Sequence, residues 1–150
     1  MPHPAYERTQ VLWLLWVLLP ATALATGMVV WFDAGASLVG GLTVALIVAV
    51  EAALLLVFGR FTVAVGDGQV AWRFGVFGRP RWQLPLAEVQ RVEVARSTWV
   101  EGWGIRRTRE GMLYNASGSG AVRLHLKDGR RIRLGSDEPE RLAAFIAARL

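Results

Sequence analysis

The 150-residue chain has no cysteine. Disulfides, thiolate nucleophiles and the common zinc sites are thereby excluded, and the redox compartment has to be read from topology. Histidine is almost as scarce. His3 falls in an N-terminal tail, and His125 lies among basic residues on an outward strand face, as a surface group rather than a base or metal ligand. No serine has a neighbouring His–Asp arrangement, and "GSG" at 118–120 reads as a hairpin turn, not a phosphate cradle opening a helix. Acids that could pair are confined to 137–140, where helix capping accounts for them. This inventory predicts no catalysis, no cofactor and no small-molecule substrate.

Charge is the second scarcity, and it is local. Of 17 Lys+Arg only Arg8 precedes Arg60, and of 12 Asp+Glu only Glu7, Asp33 and Glu51 do, which leaves 16 basic and 9 acidic residues, net +7, in 60–150. Val11 to Phe32 is 22 residues without a charge. As a helix it spans about 33 Å, enough for a hydrocarbon core. Leu38 to Phe58 is 21 residues with one charge, Glu51. The expected organisation is a cytoplasmic tail 1–10, transmembrane helix 11–32, extracytoplasmic loop 33–37, transmembrane helix 38–59 and a cytoplasmic domain 60–150. The loop has no Lys or Arg while Arg8 and Arg60 flank the pair, so the positive-inside bias puts both termini in the cytoplasm. Trp13, Trp16 and Trp31 lie toward the helix ends, where interfacial aromatics collect. A cleaved signal peptide is the competing interpretation, since Arg8, "VLWLLWVLL" and "ALA" at 23–25 imitate its three regions. The apolar run continues through Met28–Phe32 and argues against it.

Within the second helix Ser37, Gly41, Ala45 and Ala49 recur every four positions, a spacing that lets helices approach closely on helix one or on another copy. Glu51 is the intramembrane polar residue, at a cost of about 2.5–3.5 kcal/mol on insertion scales. It is expected as a protonated, hydrogen-bonded acid facing the Trp16 carbonyl that Pro20 leaves without its helical donor, or else as part of a proton or ion path.

From Phe61 the hydrophobic period changes to two. "FTVAV", "VAWRF", "RWQLPL", "VQRVEVAR" and "GMLYNA" read as strands, and the first two place Phe61, Val63, Val65, Val70, Trp72 and Phe74 on one face. In "AVRLHLKDGRRIRL" a three-residue loop at 128–130 pairs Leu126 with Ile132 and Leu124 with Leu134, leaving His125, Lys127, Arg131 and Arg133 outward. "SDEPERLAAFIAARL" carries helix signals, with Asp137 as cap, Glu140 three residues on, Pro139 in the first turn and an apolar stripe of Leu142, Phe145, Ile146 and Leu150. The expected fold is α+β: a two-helix transmembrane hairpin, then a seven-stranded antiparallel barrel or sandwich closed by a C-terminal helix. That order is the order of a pleckstrin-homology-like (PH-like) domain.

"LPLAEVQRVEV", "GWGIR", "LYNASGSGAVRLHLKDGR" and "LGSDEPERLAAFI" resemble the small bacterial membrane proteins that carry a cytoplasmic PH-like domain. The resemblance covers essentially the whole chain. It implies a binding or assembly domain in the bacterial inner membrane, not an enzyme.

Between the fourth and fifth expected strands lies 97–110, long enough for a functional loop. Trp99, Trp103 and Tyr114 are expected to plug the barrel, with Arg106, Arg107 and Arg109 solvated or paired with Glu101 and Glu110. Alternatively Trp103 and the three arginines, with Lys127, Arg131 and Arg133, form a rim that contacts anionic lipid or a partner. The partners expected are membrane lipid and a protein partner or a second copy. Nucleic acid is not expected, because nearly all the basic residues are arginines scattered along strands without a reading motif.

Overall fold

The computed structural model describes residues 5–34, 37–97 and 104–150. Its elements follow in the order β1 (Tyr6–Val11), α1 (Trp13–Ala34), α2 (Leu38–Phe58), β2 (Arg60–Gly66), β3 (Gln69–Phe74), β4 (Arg81–Pro85), a 3-10 turn (Leu86–Glu88), β5 (Val89–Arg96), β6 (Gly104–Thr108), β7 (Gly111–Asn115), β8 (Gly120–Leu126), β9 (Arg131–Gly135) and α3 (Pro139–Ala147).

The two long helices follow from unbroken apolar runs: their spans have mean hydropathy 1.9 and 2.5 and are not buried inside the protein. They are long and apolar enough to cross a membrane, and they pack on each other. Ser37 caps α2, its Oγ accepting from Gly40 N–H at 3.0 Å. The small-residue stripe does not face α1. Gly41 has nothing within 4 Å of the position a Cβ would take, whereas Gly40 is buried and Val44 lies against Gly27.

Of the segment 1–10 expected as a tail, the part from Tyr6 onward is instead strand. β1 pairs antiparallel with β2 from Tyr6↔Val65 to Val11↔Arg60, so the chain before α1 and the chain after α2 lie in one sheet. Leu12 N–H continues the pairing by donating to the Gly59 carbonyl at 3.0 Å, which delays α1 to Trp13. The alternation was masked because the core-side residues of β1 are Tyr6, Arg8 and Gln10 rather than aliphatics; Arg8 sends its head group out to Asp137 at 3.1 Å.

Where seven strands were expected, the described residues form nine, in two open sheets with the orders β1-β2-β3-β4 and β5-β8-β9-β7-β6. They do not close into a barrel. β7 and β9 run parallel, Met112↔Ile132 to Tyr114↔Leu134, so β9 lies between β7 and β8 and the stretch around "GSG" is a crossing connection rather than a hairpin turn. Two glycines permit that close pairing: a Cβ on Gly111 would collide with the Arg131 carbonyl, and one on Gly135 with the Asn115 side chain. In the last hairpin Leu124 pairs with Ile132 and Val122 with Leu134, two residues off the expected register. A shift of two preserves the faces. Leu126 is therefore inside as expected, and its N–H donates to the Arg130 carbonyl across a loop of 127–129.

The core lies between the sheets, built from Phe61, Val65, Val70 and Phe74 on one side and Val122, Leu124, Leu126 and Leu134 on the other. Leu142 and Ile146 of α3 close it, while Leu150 is 53% exposed and contributes nothing. Asp137 does not cap α3. Arg8 holds it, Glu138 occupies the cap position without a side-chain bond, and the Ser136 Oγ accepts from Glu138 N–H at 3.1 Å.

Candidate functional site

Most of the expected rim falls on the second sheet. Arg106 and Arg107 are exposed on β6, an edge strand, not in a loop, and Arg109 follows in the turn to β7. Trp99, Glu101 and Trp103 lie outside the described residues. Arg106, Arg107, Arg109, Lys127 and Arg131 are exposed and form no ion pair among the described residues.

Arg133 departs from the rest. It was expected outward, as a candidate lipid or partner contact, yet it is 5% exposed and pairs with Glu110. The outer row of the sheet runs Glu93, Arg123, Arg133, Leu113, Arg106 across five strands. Glu110 takes both Arg123 and Arg133 rather than the arginines beside it in sequence. Glu93 accepts from Arg123 Nη1 at 2.9 Å and from His125 Nε2 at 2.8 Å, with Arg91 at 3.5 Å. His125 Nε2 also lies 3.3 Å from Arg91 Nη2, but a ring nitrogen bearing a proton for Glu93 cannot accept from Arg91. The shorter contact fixes Nε2 as the donor. These bonds, His125 first and Arg123 second, lower the Glu93 carboxyl from 4.5 to about 2.

Tyr114 is buried as expected, and among the described residues its aromatic neighbours are Trp72 at 5.2 Å and Trp82 at 4.9 Å between ring centroids. Burial raises its hydroxyl above the ordinary value of 10.0. Between the helices, Glu51 does not meet the Trp16 carbonyl. Its Oε1 lies 2.8 Å from Thr22 Oγ1, which is also 2.8 Å from the Leu19 carbonyl, while Trp16 Nε1 donates to the Gly59 carbonyl at 3.3 Å.

A second cluster was not anticipated. On the outer face of the first sheet, where β1 and β2 join the helices, Thr9, Arg60, Thr62, Arg73, Gly75, Val76, Phe77 and Gly78 line a cleft of about 270 Å³. Arg73 is directly opposite Arg81 in the β3–β4 ladder. One carboxylate, Glu7, reaches Arg73 at 2.7 Å, and Arg60, Arg79 and Arg81 form no ion pair among the described residues. "FGVFGRPR", an apolar pair between glycines followed by arginines, was the available signal.

No protein-family model matches this chain, and no curated protein is significantly similar to it.

Proposed function

We propose that this chain is an integral membrane protein whose cytoplasmic β-domain, of the PH-like class its sequence resembles, is a non-catalytic module for binding a protein partner or assembling a membrane complex. The observation that carries it is β6: an edge strand with one unpaired side and with Arg106 and Arg107 lacking carboxylate partners among the described residues. An open edge offers backbone donors and acceptors to an added strand, and its free cations favour an acidic one. Arg109, Lys127 and Arg131 lie at the same end of the sheet, opposite the end where Gln10 of β1 donates to the Ser117 carbonyl at 3.5 Å. That end is remote from the point where the chain leaves for the helices, which favours a partner over lipid for these residues.

A photoreactive amino acid at Ile105, which is 36% exposed on β6, tests this in native membranes. The expected product is a discrete adduct, with a partner or with a second 16.5 kDa chain, that is lost when Arg106 and Arg107 are reversed to Glu. No protein adduct, or one indifferent to that reversal, overturns the proposal.

A further inference from the structure

We infer that the Gly75–Gly78 loop is a lipid-inserting wedge and that the cleft behind it holds the phosphate of an anionic phospholipid headgroup. The inference rests on the two helices crossing a bilayer, and on nothing proposed for β6.

Depth comes first. Val76 N–H donates to the Leu56 carbonyl at 2.9 Å and Gly75 N–H to the Arg60 carbonyl at 2.8 Å. Leu56 belongs to the apolar span Leu38–Phe58, so a peptide group of this loop is fixed at the depth of the span's last turn. Gly75 makes that approach possible: its φ is +75°, and a Cβ there would lie 2.6 Å and 2.7 Å from the Leu56 and Val57 carbonyls. Only glycine fits. At the tip, Val76 and Phe77 are 47% and 75% exposed, an apolar pair next to a membrane span with no protein over it. In water such a pair loses hydrophobic free energy; at the acyl boundary it gains it.

Charge comes second. Arg60, Arg73, Arg79 and Arg81 gather at this end against one carboxylate among the described residues, Glu7, which pairs with Arg73; the directly opposed Arg73 and Arg81 still leave an excess of positive charge. An anion in the cleft meets Arg60 and Arg73, which line it, with Arg81 across the ladder from Arg73 adding to the field, and guanidinium forks suit a phosphodiester. The negative end of α2 does not oppose it, because Gly59 N–H caps the Leu55 carbonyl, Val76 N–H the Leu56 carbonyl, and Leu12 N–H with Trp16 Nε1 the Gly59 carbonyl. The Thr9 and Thr62 hydroxyls, 2.8 Å apart, add polar groups to the floor.

The absence of cysteine supplies a clean test on the full chain. Single nitroxide labels at Phe77→Cys, at Leu46→Cys on an exposed face of α2 and at Asp128→Cys on the far hairpin are compared in vesicles for oxygen against aqueous-quencher accessibility. The expected pattern is lipid for 46, headgroup boundary for 77 and water for 128. Water at 46 defeats the membrane reading itself, whereas lipid at 46 with water at 77 defeats the wedge alone. For the cleft, the full chain in detergent is titrated with short-chain phosphatidylglycerol, short-chain phosphatidylcholine and inorganic phosphate, following Tm. Phosphatidylglycerol is expected to raise Tm saturably, with apparent affinity falling roughly tenfold in Arg60→Gln. Equal response to the two lipids, or an unchanged Arg60→Gln with wild-type starting Tm, overturns the headgroup site. An equal response to inorganic phosphate overturns the lipid as its occupant.

Discussion

At the scale of single residues, the carboxylates carry sharper consequences than the arginines that outnumber them. Glu93 has its pKa depressed from 4.5 to about 2, so its contribution to stability is fully present above pH 4.5 and is lost as pH falls through 2. Because its side chain is 34% exposed, solvent screening holds that contribution to about 1 kcal/mol. Glu93→Gln is therefore expected to destabilise by about 1 kcal/mol at pH 7 and by a small fraction of that at pH 2 in denaturant titrations at the two pH values. A loss equal at both would assign the effect to packing. Glu51 gives a different contrast. Its contact with Thr22 Oγ1 survives in Glu51→Gln, whose amide can donate there, and fails in Glu51→Leu. Unfolding in mixed micelles is expected to leave the Gln variant unchanged and to cost the Leu variant about 0.6–2 kcal/mol. Neither partner was legible from the residue alone: Glu93 is one of several acids in a basic domain, and Glu51 was matched to the Trp16 carbonyl by counting along helices, which locates a level and not a hydroxyl.

At the scale of elements, apolar alternation was legible and pairing was not. Phe61, Val63, Val65, Val70, Trp72 and Phe74 do face one core, because a strand with one buried face writes its period into the sequence. β1 escaped since a mixed face of Tyr6, Arg8 and Gln10 carries no such period, and β6 escaped since an edge strand of Ile105, Arg106 and Arg107 buries little. The parallel β7–β9 pair depends on close approach at Gly111 and Gly135, a tertiary fact that no local pattern contains. It predicts that Gly111→Ala, with φ at +118° and the Arg131 carbonyl in the way, is destabilising by several kcal/mol, measured by thermal unfolding. The same change at Gly68, in an open turn, is expected to cost about 1 kcal/mol, for its φ of +72° alone.

For the whole molecule, the change from two long apolar helices to a β-domain was legible in composition, but the β-domain also takes in β1, ahead of the helices. Excising 60–150 removes β1 and uncovers the core side of β2, including Phe61 and Val65, both fully buried. That fragment is expected to be less stable and more prone to associate than one with residues 5–11 joined ahead of it by a flexible linker, as judged by denaturant midpoint and sedimentation; equal behaviour would show β1 to be dispensable. The pairing also has a consequence in time. Val11 is synthesised 49 residues ahead of its partner Arg60, and Tyr6 59 ahead of Val65. At about 5–20 residues per second, the first strand waits for several seconds while both helices are made. If only one helix entered the bilayer, the two strands would emerge on opposite sides and never meet. If both crossed, the two strands would return to the same side, which the β1–β2 pairing requires.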